Sequence, residues 1–201
     1  MRFLEIAPYK KRGLNWDGIR DTKQFEGTDF VWDVRKIPIE FIDDETYNGV
    51  YSEHFIEHIE REEGINFFKE MLRIMKPGGV IRTVWPPMEF VNFLRSNQDL
   101  SNHPFVNEYY RVYVQHHGFC PPGNEHKSKQ EQCALGLLWQ KGEHKYLWGK
   151  QEMIDALVEL GYKNVREYEY QRSSLPAFKH IERNNLLRQL HSAVVEATKP
   201  W

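Results

Sequence analysis

The feature that most constrains this 201-residue chain is a strand–helix–strand unit in its first half. Gly49 to Ser52 (GVYS) is a short apolar run. Between Arg61 and Met75 the apolar residues fall at Ile65, Phe68, Met71, Leu72 and Met75, which share one face of a helix. Lys76-Pro77-Gly78-Gly79 supplies the residue types that end helices. Val80 to Trp85 (VIRTVW) then reads as a strand closed by Pro86-Pro87. Two neighbouring strands joined by a long helical crossover pair in parallel, with a right-handed connection.

Further short extended segments precede this unit at Arg2–Ala7, Leu14–Ile19 and Phe30–Val34, and Asn164–Tyr170 follows it with strand alternation. Helical patterns cover Met88–Leu94, Phe105–Val114, Lys150–Leu160 and Asn185–Ala197, while His116–Gln132 is polar and reads as a loop. The expected architecture is one α/β domain over residues 1–201. Its sheet is Rossmann-like and mostly parallel, with helices on both faces and a helical and loop insertion at about 88–145.

Composition removes several function classes. Lys plus Arg number 27 against 29 Asp plus Glu, a net charge of −2, which argues against a protein that holds nucleic acid by phosphate charge. No apolar run approaches the ~18–20 residues of a membrane span, and the apolar stretch at the N-terminus is too short for a secretory signal. Two cysteines, Cys120 and Cys133, rule out a disulfide scaffold and suit a reducing cytoplasmic setting.

An open parallel sheet binds ligands beyond the carboxyl ends of its strands. The residues expected there are Ala7-Pro8-Tyr9, then Asp17, then Asp33-Val34-Arg35, then Ser52-Glu53-His54 with Glu57 and His58 close behind. A carboxylate after the second strand, Asp17, can accept both hydroxyl protons of a ribose. Asp33 can meet an adenine amino group while Val34 covers the ring.

The run from Asp33 to His58, followed by the helix and by M-K-P-G-G-V-I-R-T-V-W-P, resembles the class I S-adenosylmethionine-dependent methyltransferases, most of all the small type 11 branch. Asp33 to Pro38, Ser52 to His58 (S-x-H-x-x-E-H form), Lys76 to Gly79 and the later His144 to Trp148 (HKYLW) carry the likeness. It covers roughly residues 2–86 and 142–172. The resemblance implies S-adenosylmethionine as cofactor and methyl transfer to an acceptor, a small molecule or another unidentified one. It implies cofactor contacts from Glu5, Ala7, Tyr9, Asp17, Asp33, Val34, Ser52 and Glu53. His54 and His58 are the candidates to take the acceptor's proton.

The departure is in the first loop. The family has a glycine-rich E-I-G-C-G, whereas this chain reads Glu5-Ile6-Ala7-Pro8-Tyr9, and it begins at the first strand without the family's leading helix. Pro8 is expected to hold Ala7 extended, and Tyr9 either blocks the space of the cofactor's methionine end or, the preferred reading, swings out and covers the ligand. Two rival readings stay open. One is a methyltransferase-like binding module that has lost catalysis. The other is a zinc-stabilised interaction protein using His116, His117, Cys120, His126 and Cys133. Those residues match no zinc-site spacing, so no metal is expected and residues 116–133 read as a polar lid.

Overall fold

The computed structural model describes residues 1–8, 15–20, 28–96 and 98–201. Seven strands form one sheet: β1 (Phe3–Ile6), β2 (Trp16–Arg20), β3 (Phe30–Val31), β4 (Tyr47–Glu53), β5 (Met75–Trp85), β6 (Lys163–Glu167) and β7 (Ala193–Thr198). Their order is β3-β2-β1-β4-β5-β7-β6. Every pairing from β3 to β5 is parallel, and β7 runs antiparallel to both of its neighbours. The order reverses between β1 and β4, a topological switch point where such sheets open a crevice.

Helix α1 (Arg61–Ile74) is the crossover expected from the periodicity. A capping box between Glu60 and Glu63 starts it. Its buried residues Phe67, Phe68, Met71 and Ile74 join Leu4, Ile6, Val50 and Ile81 of the strands in the main core. Helix α5 (Lys150–Glu159) adds Met153, Ala156 and Leu157 to that core. The opposite face carries Phe3, Tyr51, Val84 and Val194, and it is covered by a segment containing Leu175, Phe178 and Ile181. A single short helical turn, Pro176–Phe178, punctuates that segment.

The insertion builds a second cluster. Helices α2 (Met88–Leu94), α3 (Pro104–Tyr109) and α4 (Lys129–Trp139) bury Val91, Leu94, Phe105, Val106, Cys133 and Leu137 together. Leu187 of α6 (Leu186–His191) completes it. Helix α4 corrects the expected loop over His116–Gln132. Its first turn is polar (KQEQ), so the apolar period starts only at Cys133. Ser128 nevertheless caps it by accepting from the Glu131 amide at 3.3 Å.

The C-terminus is a second correction. The helix expected over Asn185–Ala197 stops at His191, and Ala193–Thr198 is strand β7. The leucines at 186, 187 and 190 carry a helical period, but Val194-Val195 are β-branched and fill the slot between β5 and β6. In that slot Arg82 of β5 lies opposite Glu196 of β7.

Candidate functional site

The switch point opens into a cleft of about 810 Å³, within the range of ligand pockets. Strand ends supply its floor: Ile6 and Ala7 after β1, Ile19 and Arg20 from β2, Asp33, Val34 and Arg35 beyond β3, and Glu53 and His54 at the end of β4. Arg183 and Arg188 close it from the C-terminal segment.

Of the residues expected at the site, Ala7, Asp33, Val34, Glu53, His54 and His58 line this cleft. Ser52 does not: it is buried inside β4 with its hydroxyl 3.2 Å from that of Thr83. Glu5 is buried within β1, and its charge is felt by Tyr51 on the neighbouring strand. Tyr9 lies outside the described residues.

Asp17 is a correction. It is the second residue of β2, at the amino end of the strand. Its carboxylate accepts from Arg2 Nε at 2.7 Å and from the Tyr47 hydroxyl at 2.8 Å. The residue that ends β2 at the cleft is Arg20. Sequence alone placed the strand too early, because Leu14-Asn15-Trp16 and Gly18-Ile19 are equally extended in character. The next residue in the chain is Asp21, outside the described residues.

Ala7 is a second correction. Its φ is +54°, in the left-handed region rather than extended. Its amide donates to the Ile19 carbonyl at 2.8 Å, which ties the end of β1 to β2 before the chain turns. Glycine adopts that conformation without cost; for alanine it costs about 1–2 kcal/mol. His54, at the end of β4, has φ of +52°. Two non-glycine residues in this region at the mouths of adjacent strands mark stored strain beside a ligand cleft.

The charges of the cleft are held by named partners. Burial raises the Glu53 carboxyl, but Arg188 at 3.0 Å and the Tyr170 hydroxyl at 3.0 Å outweigh it and leave it below the ordinary value. Arg35 donates twice to Asp33, at 2.8 and 2.9 Å, and lowers that carboxyl too. Periodicity puts Tyr170 in a strand pattern and Arg188 in a helical one and leaves Arg183 outside both, but it points none of the three at the cleft. They reach the site from a segment that is irregular except for short helix α6.

A second cavity of about 180 Å³ adjoins the first and shares His54, His58, Gln140 and Arg188 with it. Glu57, His144 and His191 line it, with Tyr109, Tyr113 and Phe119 from the insertion. Burial pushes the imidazolium form of His54 well below its ordinary value, with Arg188 adding to it. Burial likewise lowers His144, and pushes His191 down to about 3. These rings are neutral at pH 7. His54 Nε2 lies 2.8 Å from the Ser192 hydroxyl. His144 was legible only as part of the HKYLW motif, and His191 had no signal at all.

Both cysteines are free, and Cys133 is buried in the insertion core with its thiol facing the Val106 carbonyl. The His and Cys residues of 116–133 do not converge on one another among the described residues. No helix among the described residues is long and apolar enough to cross a membrane.

Comparison with known proteins gives the same direction. Residues 19–83, from β2 to β5, match the family model described as a methyltransferase domain. Among curated proteins no sequence relative matches. Among solved structures, the chain is similar to an S-adenosylmethionine-dependent methyltransferase from Archaeoglobus fulgidus. The match has a TM-score of 0.54 at 14% identity and covers 98% of this chain and 86% of that one. It is also similar to Haemonchus contortus phospholethanolamine N-methyltransferase 2, solved with phosphomonomethylethanolamine and S-adenosylhomocysteine. There the TM-score is 0.52 at 13% identity, covering 100% of this chain and 49% of that one. The chain accordingly shares the fold of the S-adenosylmethionine-dependent methyltransferases it is similar to, and its residues 19–83 match the methyltransferase-domain family model.

Proposed function

We propose that this chain transfers a methyl group from S-adenosylmethionine to a small-molecule acceptor, working as one unit of sheet and insertion. The observation that carries the reading is the adjacency of two cavities that share His54, His58, Gln140 and Arg188. The large cleft at the switch point suits a nucleoside cofactor, and His54 and His58 stand between it and a smaller chamber lined by histidines and tyrosines.

The cleft's chemistry fits the cofactor. The strained turn at Ala7 brings backbone to the cleft floor, and Ala7 itself adds only a methyl group there. Asp33 and Glu53 offer carboxylates to hydroxyl and amino groups, and Val34 offers an apolar surface beside them. Arg183 and Arg188 offer guanidinium groups for a carboxylate. On chain order, Asp21 rather than Asp17 takes the ribose role. The cofactor supplies a sulfonium-bound methyl already primed for displacement. The protein's own work is to orient the acceptor in line with it and to exclude water. His54, neutral and partnered by Ser192, takes the acceptor's proton as it attacks, and His58 lies at the same opening.

The near-neutral charge balance and two free thiols support a small acceptor and a cytoplasmic location. Calorimetry with S-adenosylmethionine and S-adenosylhomocysteine tests the core of the reading. Binding of both, weakened by Glu53→Ala, is the expected result. No binding at millimolar cofactor by folded protein overturns the enzyme reading in favour of a binding module without catalysis.

A further inference from the structure

We propose that Glu57, His58 and His144 form a binding site for one divalent transition-metal ion, zinc in the first instance, with its open positions facing the smaller cavity. The ligand atoms of these three residues all lie within 4.8 Å of one another. A tetrahedral zinc with bonds of about 2.0–2.1 Å draws its ligand atoms to about 3.3 Å apart. Small side-chain rotations therefore close the set.

The carboxylate is the decisive part. Glu57 is fully buried, and neither of its oxygens has a hydrogen-bond partner among the described residues. His54 Nδ1 lies 3.2 Å from Oε1, but outside hydrogen-bond geometry. Buried polar groups are almost always satisfied, and an orphaned carboxyl aimed into a cavity calls for a positive partner. The nearest basic groups around that cavity are imidazoles and Arg188, and Arg188 is engaged by Glu53.

The two histidines are oriented as ligands. His144 Nδ1 faces the Leu137 carbonyl, and His58 Nδ1 lies 3.3 Å from the Glu143 carbonyl. A carbonyl only accepts, so each Nδ1 carries a proton, and it is Nε2 that is left to offer a lone pair to a metal. That backbone anchoring of the far nitrogen is the usual support of a metal-bound histidine. The set is also held together through the main chain. The Glu57 carbonyl accepts from the amides of Lys145 at 2.8 Å and Tyr146 at 3.3 Å, joining the turn Ile56–His58 to the segment that carries His144.

Two imidazoles and one carboxylate leave positions open for an exogenous ligand. The oxygen or sulfur of an acceptor is the ligand expected there. That role rests on the methyltransferase reading, whereas the metal site itself does not. With His58 engaged by metal, His54 remains free to act as base.

The test is metal uptake by the full chain, stripped with a chelator and dialysed. Zinc calorimetry is expected to show about one equivalent bound. Cobalt(II) is expected to give visible d–d bands of a nitrogen and oxygen site. Glu57→Gln and His144→Ala are each expected to weaken zinc by at least about a hundredfold and to abolish the cobalt spectrum, with circular dichroism confirming the fold. Should a buried variant fail to fold, His58→Ala at the cavity mouth gives the same reading. The double change Cys120→Ser with His126→Ala is expected to leave zinc binding unchanged. Folded wild type that takes up no zinc at tens of micromolar overturns the proposal, as does uptake that survives all three ligand variants. Cofactor titration of the same samples reports separately on the cleft.

Discussion

Two clusters of buried acid sit on this sheet, and they are built in opposite ways. In one, the Arg82 guanidinium, wholly buried on β5, is held between Glu182 and Glu196, with Nη1 2.7 Å from Glu196 Oε1. Glu196 is further bonded by the Ser174 hydroxyl at 2.6 Å and by Ser173. In the other, Glu57 is equally buried but receives no hydrogen bond from the described residues, and imidazole and phenol rings line the cavity beside it. The first cluster joins β5 to β7 and to the segment that covers the sheet, and its acids find their cation within the chain. The second leaves an acid facing a space that a ligand can enter. The contrast separates charge used for architecture from charge kept for binding.

The largest effect expected from this contrast is on the closed cluster. Arg82→Met leaves two carboxyls buried without their cation, and breaking a buried pair from one side costs about 3–5 kcal/mol. Urea unfolding should show that loss, or no folded protein. A variant within about 1 kcal/mol of wild type would mean that the cluster is not the structural tie described.

The rim of the cleft should respond less and depend on pH. Glu53 lies below the ordinary carboxyl value in the folded chain, so its contribution is present above about pH 4.3 and is lost as pH falls through its folded value. Glu53→Gln should cost about 1.5–3 kcal/mol at pH 7. The gap in thermal unfolding between the two proteins should begin to narrow below about pH 4.3 and close as pH falls through the folded value of Glu53. A gap that stays constant down to pH 3 would place the effect in packing rather than charge.

Asp17 tests the sidedness of the sheet. Its bonds to Arg2 and Tyr47 are partly exposed, so Asp17→Asn should lower stability by about 1 kcal/mol. Its cofactor dissociation constant should match wild type. Asp21→Asn should weaken the cofactor by roughly tenfold or more, the loss of a charged hydrogen bond. The reverse pattern would return the ribose role to Asp17.

The smallest effect concerns the strained turn. Ala7→Gly relieves a left-handed alanine but adds freedom to the unfolded chain, for a net gain of up to about 1 kcal/mol. Denaturant midpoints read it directly, and a loss of stability would contradict the φ of +54°.

Much of this molecule was legible in order along the chain. The crossover helix showed in its apolar period, and β4 and β5 flank it where the runs GVYS and VIRTVW predict them. Asp33, Glu53, His54 and His58 reach the cleft because each follows a strand, and a strand's end is a local property. The errors share a cause as well. Asp17 was misplaced by a few residues, and in a strand that distance carries a group from one edge of the sheet to the other. The C-terminal strand was read as helix because its burial between β5 and β6 depends on strands that lie far away in sequence.

What the sequence by itself determined, then, is the parallel sheet, the crossover and the band of residues at the strand ends. Those follow from periodicity and from turn chemistry, which act over a few neighbours. Only the tertiary structure decided which groups meet across long separations: Arg82 with Glu182 and Glu196, Glu53 with Arg188, and Glu57 with His58 and His144. Such meetings are set by how strands and insertion pack. Partner and orphan alike are defined by burial, which no local pattern records.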